Sequence, residues 1–535
     1  MKKKLLIVCV ILVAVGSFVF ATGMTEQGKS IPTAPPEMPI VKVSGGQLKG
    51  FVEGDGTLAF TGVRYAVAER YGKPRPVPAW QGVKPAQVYG PIPMVPEQTA
   101  VGYDEFVWPH RYYIQSEDCQ YLNIWTQSIS SSAKKPVMIF IHGGSFNNGS
   151  AMEAVSYEGG NLSKFGDVVV ITVNHRINVL GYLDLSSFGD GYKDTTNLGQ
   201  YDLIAALQWV KDNVAQFGGD PGNVTIFGQS GGCRKVQSLL HMPDAAGLFS
   251  KAIGHSSIYN PITQEQANRI GQLTVEKLGL TAATLNQIKT IDYKTLLAAG
   301  VYALGEAGKE YGISFSGWNV TIDNETLLAT YPEFAKSIPF IQGTVFSEAA
   351  NNNLNLIAQG INKNTWTAAE TDQYLAKRFG SDAAAIKAEF TALFPEKKPQ
   401  DAFFYDIGRR GPTLDYLVEK AQSGSAPVYN YLFTFEAPVN GGVTPFHCSE
   451  LTYVFHNVNL REVTRATGGT VDVYKMQDVM AQAWINFART GNPSQPGLEW
   501  KPFDPATKTG TLVFDTNSRF APLNDQNLRQ LIATR

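Results

Sequence analysis

The chain has 535 residues, 44% hydrophobic and 17% charged, the make-up of a globular protein with enough apolar side chains to bury a large core. A formal net charge of −2, with no basic stretch to neutralise phosphates, argues against a nucleic-acid binder. No internal repeat or long low-complexity tract occurs, so the length does not by itself demand several domains.

At the N-terminus, Lys2, Lys3 and Lys4 precede an apolar run over 5–20, and Val19-Phe20-Ala21 has the small-residue form of a cleavage site. Residues 1–21 therefore read as a signal peptide, with a mature chain starting near Thr22 and exported to the periplasm or beyond. The run is short for a spanning helix, so no stable membrane insertion is expected after cleavage. Residues 22–39, rich in Pro, Thr and Glu, read as a disordered tether, and 40–535 as one domain.

Residues 40–70 alternate apolar and polar between glycine-rich turns, which predicts an N-terminal antiparallel hairpin region. Buried strands are expected at 136–142, 168–174 and from 224, with a helix from about Leu198 that carries Leu203, Ala206, Leu207 and Val210 on one face. Strand, helix and strand in this order give a mostly parallel sheet with right-handed crossovers. After Phe249 the pattern is largely helical to about Tyr331. A strand follows at 337–344, then helices over 366–423, a strand at 428–435 and a helix at 476–489. The fold class is α/β, with helical insertions that wall a pocket.

The strand from Val224 runs into Gly228-Gln229-Ser230-Gly231-Gly232. This is Gly-x-Ser-x-Gly between a strand and a helix, a nucleophile elbow in which small flanking residues let the backbone bend and a carbonyl approach. A serine hydroxyl is a weak nucleophile near neutral pH and needs a base, itself oriented by an acid. Of the seven histidines only His447 and His456 lie beyond residue 400. His447 follows a loop, Gly441-Gly442-Val443-Thr444-Pro445-Phe446, and is the expected base. His456 sits against the apolar 451–455 and reads as a packing or capping residue. The acid belongs just past a strand between serine and histidine, which selects Glu348, with Asp323 and Asp406 as runners-up. The developing oxyanion needs preorganised N–H donors. The run His142-Gly143-Gly144-Ser145-Phe146 leaves a strand and offers them, and Gly231 adds another.

Cysteines occur at 9, 119, 233 and 448. With Cys9 removed three remain, too few for a disulfide framework, and their spacing fits no zinc site. Cys233 and Cys448 flank the expected active site, as either a bridge or two buried free thiols. No metal or organic cofactor is implied.

These motifs, with Ser116-Glu117-Asp118-Cys119-Gln120-Tyr121-Leu122-Asn123-Ile124, Phe217-Gly218-Gly219-Asp220-Pro221 and Trp484-Ile485-Asn486-Phe487-Ala488-Arg489-Thr490-Gly491-Asn492-Pro493, resemble the type-B carboxylesterase and cholinesterase family over nearly all of the mature chain. The likeness is strongest to its bacterial para-nitrobenzyl-esterase kind. The resemblance implies an α/β-hydrolase fold, a Ser230–Glu348–His447 triad, an oxyanion hole from Gly144, Ser145 and Gly231, and Ser256 as a serine near the triad. It also marks departures. Gln229 stands where the family usually has Glu, which removes a negative charge beside the nucleophile. Ser145 replaces a glycine. Cys233 and Arg234 replace small residues, Arg234 reading either as a surface cation or as a contact for a substrate carboxylate. Cys119 lacks the earlier cysteine that would pair with it.

The expected activity is hydrolysis of small to medium carboxylic esters through an acyl-enzyme. The alternatives are a hydrolase of a bulky natural-product ester and a non-catalytic esterase-like binding protein, whose usual mark is a broken triad. Aromatics at Trp108, Tyr112, Trp318 and Phe346 are candidates for the gorge or for the core.

Overall fold

The computed structural model describes residues 37–97, 103–348 and 359–533. The stretch read as a signal peptide and nearly all of the stretch read as a tether lie outside these residues. Two short strands, Ile40–Val43 and Gly46–Lys49, form the predicted hairpin, and Val83–Pro85 adds a parallel third strand.

An eleven-stranded sheet organises the rest. In chain order its strands are β1 Phe51–Val52, β2 Leu58–Arg64, β3 Tyr121–Thr126, β4 Lys135–Ile141, β5 Val169–Val173, β6 Gly219–Gln229, β7 Lys251–His255, β8 Phe340–Val345, β9 Val428–Phe433, β10 Thr511–Phe514 and β11 Arg519–Ala521. Their spatial order is 11-10-9-8-7-6-4-5-3-2-1. From β5 to β10 every pairing is parallel, while the edges at β3–β2–β1 and β10–β11 are antiparallel.

Parallel strands covered on both faces read as unbroken apolar runs, and β4 shows why. Val137, Ile139 and Ile141 pack into one core layer and Met138 and Phe140 into the other. The longer helices are α1 Leu198–Asn213, α2 Gly231–Leu239, α3 Gln264–Lys277, α4 Tyr293–Tyr311, α5 Ala368–Phe379, α6 Ala383–Leu393, α7 Arg410–Ser423, α8 Val471–Thr490 and α9 Gln526–Ala533. Side chains of α1 and α2 fill the first layer, and Met480, Trp484 and Phe487 of α8 the second. No described helix is long and apolar enough to cross a membrane.

Two parts of the sheet depart from the sequence reading. The segment after Phe249 begins with β7, not a helix: Lys-Ala-Ile-Gly-His is short and carries polar ends, so alternation is too weak to signal a strand. Beyond α8 the chain adds β10, β11 and α9, again in pieces too short to show periodicity.

Of the two readings of Cys233 and Cys448, the structure shows free thiols and no bridge. Cys119, Cys233 and Cys448 are all free. Cys233 is buried against Gly254, where an added Cβ would meet its Sγ at 2.5 Å, and Cys448 points elsewhere, toward Gln229 Oε1 at 3.1 Å.

Candidate active site

β6 ends at Gln229, and Ser230 caps α2 with φ 57° and ψ −122°, a conformation that costs energy unless its surroundings impose it. The flanking glycines explain how. A Cβ on Gly231 would stand 1.9 Å from the carbonyl oxygen of Ser145, and one on Gly232 2.0 Å from that of Ile141. Helix, β4 and the loop after it thus close on one another at the serine. The Ser230 amide donates to the carbonyl of His255 on β7 at 2.9 Å, which fixes the turn from the other side.

The loop after β4 carries Gly144 at φ 78° and Ser145 at φ 57°. The carbonyl of Gly144 accepts from Asn147 and Asn148 at 3.1 and 3.0 Å, and that of Gly143 takes His142 Nδ1 at 3.1 Å. Both carbonyls belong to the peptides whose N–H groups are those of Ser145 and Gly144, so these hydrogen bonds polarise the two donors. Among the described residues, the amides of Gly144, Ser145 and Gly231 have no protein acceptor. Three N–H groups near Ser230 are left for a ligand oxygen.

Glu348 stands just beyond β8 and His447 on the loop after β9. Glu348 Oε2 accepts from His447 Nδ1 at 2.5 Å and Oε1 from the Val345 amide at 3.1 Å. Glu348 is 4% exposed. Burial alone would raise its carboxyl. The hydrogen bond and charge of His447, the charge of Arg409 and the nearby Ser256 hydroxyl together outweigh burial and hold it below the usual carboxylate range. Ser256 Oγ is buried and forms no full hydrogen bond of its own. The Ser230 hydroxyl is unbonded among the described residues. The Gln229 side-chain amide instead lies 3.3 and 3.2 Å from the two ring nitrogens of His447, held by the Cys448 thiol that donates to its Oε1. The amide is thus within hydrogen-bond distance of both ring nitrogens.

The other sequence candidates separate cleanly. Asp323 is a turn residue whose Oδ1 accepts the amides of Glu325, Thr326 and Leu327. Asp406 is near Glu348 but accepts from the Gly408 amide, and burial raises its carboxyl. His456 stacks on Phe165 with ring centroids 4.1 Å apart and pairs with Asp478. Trp108, Trp318 and Phe346 are core residues. Tyr112 is exposed and lines an open cleft of about 1410 Å³ that reaches Asn148, Gly149 and Ser150 of the oxyanion loop. Arg234 is not a surface cation, being 9% exposed.

The sequence reading passed over what lies behind the site. Lys235 on α2 is fully buried and straps the oxyanion loop at both ends: its Nζ donates to the carbonyl of His142 at 3.1 Å and stands 5.6 Å from the ring of Phe146. Burial, helped by Arg234 and resisted by Glu153, brings the Lys235 ammonium down to about 7. His142 and His175 stack beside it and are held well below the usual histidine range, first by burial and then by Lys235. On the other side of the elbow, the ring of His255 receives Tyr431 and Trp484 at 2.9 and 3.2 Å, with Glu450 next to it. No sequence period marks these residues, because tertiary packing alone makes them neighbours. No cluster of His, Cys, Asp or Glu among the described residues has the geometry to hold a metal ion.

Comparison with known proteins places the chain in a family. Residues 37–530 match the model of the carboxylesterase family. The para-nitrobenzyl esterase of Bacillus subtilis is 33% identical over 89% of this chain and 95% of its own length. The phenmedipham hydrolase of Pseudarthrobacter oxydans is 30% identical over 88% of this chain and 94% of its own. A solved esterase of Clostridium hathewayi, described as able to hydrolyse aliphatic aromatic polyesters, superposes with a TM-score of 0.85 at 38% identity, covering 94% of this chain and 99% of that one. The chain belongs to the carboxylesterase family, whose members share the α/β-hydrolase fold, and is a type-B carboxylic ester hydrolase.

Proposed function

We propose that the enzyme cleaves carboxylic esters through an acyl-enzyme on Ser230. His447 takes the serine proton as Oγ attacks the carbonyl carbon, and the amides of Gly144, Ser145 and Gly231 hold the tetrahedral oxyanion. The imidazolium then protonates the leaving alcohol. Water enters, gives its proton to His447, attacks the acyl carbon and releases the acid and Ser230. Glu348 keeps the Nδ1–H tautomer in place and stabilises the imidazolium. The observation that carries this reading is the 2.5 Å contact between a buried Glu348 and His447 Nδ1, next to an elbow serine and unsatisfied amides.

Small to medium esters are the substrates this reading favours. The relatives include a para-nitrobenzyl esterase and a polyester-hydrolysing esterase, both compatible with an aromatic acyl or alcohol part. Hydrolysis of para-nitrophenyl esters from acetate to palmitate, with Ser230→Ala alongside, tests it. The expected result is turnover of short chains that falls by about 10⁴-fold or more in the variant. Undiminished turnover in purified Ser230→Ala ends the assignment.

A further inference from the structure

The acyl-transfer steps leave one buried charge beside the elbow unused. Lys235 lies four residues beyond Gly231 and three beyond Gly232, so it shares their face of α2. That face meets the oxyanion loop. A Cβ on Gly231 would stand 1.9 Å from the carbonyl oxygen of Ser145, and one on Gly232 2.9 Å from that of His142. Lys235 Nζ donates to the same His142 oxygen at 3.1 Å and stands 5.6 Å from the ring centroid of Phe146, within cation–π reach. One ammonium thus engages the residue before the glycine pair and the residue after Ser145. Gly144 and Ser145, at φ 78° and 57°, are held between the two. Arg234 packs on the outer part of the same contact, 5.1 Å from the Phe146 ring, and reaches Asn260 Oδ1 at 3.4 Å.

Stability does not call for a cation here. Lys235 is fully buried, and among the described residues no carboxylate oxygen lies within 4 Å of Nζ. Burial depresses the ammonium; Glu153 resists from further away and Arg234 assists. The stacked His142 and His175 complete its charged and titratable surroundings, and both are held neutral near pH 7. A buried ammonium without an acid weakens a fold, and an apolar side chain of similar length would fill the space without that cost. Groups that weaken the fold where they stand collect where function uses them. The tetrahedral oxygen is the one negative charge that acyl transfer brings to this loop, and a cation already in place in a dry site stabilises it without reorganisation.

We propose that Lys235 is a positioning residue for acyl transfer: it holds the loop from His142 to Phe146 so that the Gly144 and Ser145 amides meet the reacting oxygen, and its ammonium favours the negative form of that oxygen. This deepens the acyl-enzyme reading and rests on it.

Lys235→Met removes charge and donor, and Lys235→Gln removes the charge but keeps a donor. With para-nitrophenyl butyrate at pH 7, kcat should fall about tenfold or more in Lys235→Met, KM staying within about threefold, and Lys235→Gln should lie between it and wild type. An aryl trifluoromethyl ketone, whose adduct with Ser230 carries the oxyanion, should lose affinity by the same factor as kcat/KM. The corresponding methyl ketone, which stays trigonal, should bind all three enzymes alike. The melting temperature of Lys235→Met at pH 6 should equal or exceed that of wild type. A fold no weaker with a slower chemical step is a combination that a merely structural lysine does not give. A kcat within about twofold of wild type, equal losses for the two ketones, or a fold weakened or lost in both variants overturns the proposal. Ser230→Ala separates the two claims: if it is inactive the acyl-enzyme reading stands whatever Lys235 does, and if it is active that reading falls first.

Discussion

The buried cations of this molecule fall into two regions with opposite habits. Away from the elbow most have an acid, Lys251 and Lys420 being the exceptions. Arg176 grips Asp202 with two hydrogen bonds at 2.7 and 2.8 Å. Lys363 pairs with Asp401 and Glu436, and Arg410 meets Asp525 at 2.6 Å beneath α9. Next to Ser230 the rule lapses: Lys235 has a carbonyl and a ring, Arg234 a ring and an amide. Paired charges hold parts together and leave nothing over, whereas unpaired charges keep a field that a ligand or a reacting oxygen can use.

The contrast can be broken at its strongest point. Asp525→Ala strips Arg410 of its anion and Tyr405 of its acceptor, and should cost about 3–5 kcal/mol of stability. Chemical denaturation followed by intrinsic fluorescence reads this directly. A loss under 1 kcal/mol would mean that this pairing contributes little and that the two regions do not differ in kind.

A subtler difference is in pH dependence. Lys235 is held down to about 7, below its value in an unfolded chain, so between about pH 7 and 10 the unfolded state keeps a proton that the fold has released. Stability from this group therefore rises with pH across that window, by up to about 1.4 kcal/mol per unit, and its penalty is complete below pH 7. Lys235→Met should flatten the slope between pH 7 and 9. An unchanged slope would place the proton elsewhere. His142 and His175 act in the same sense at lower pH: both are depressed, so stability drops as pH falls below the ordinary histidine range.

The smallest expected effect concerns the clasp over His447. Cys448→Ala removes one weak hydrogen bond to Gln229, and kcat/KM on a neutral ester should change by less than about tenfold. A collapse as deep as that of Ser230→Ala would instead make the thiol indispensable.

How much of this was legible follows from where information resides in a chain. The elbow, the long parallel strands and the Glu348–His447 pair lie in apolar runs, glycine spacing and chain order, which are local. β7 was hidden because five residues with a lysine and a histidine at their ends have no clear period. The neighbours of Lys235, Arg234 and Arg409 come from segments tens to hundreds of residues apart, and nothing in the sequence around Lys235 distinguishes a buried lysine from an exposed one. The same limit left the choice between a Cys233–Cys448 bridge and two free thiols open in the sequence: both cysteines do flank the site, but Cys233 faces β7 and Cys448 faces Gln229.

The three free thiols carry a practical consequence. No covalent cross-link ties the described residues together, so recovery from denaturant involves no pairing step and no oxidant. Reducing agents can be present throughout preparation and assay without loosening the architecture, and production in a reducing host compartment should yield the same active fold as production in an oxidising one.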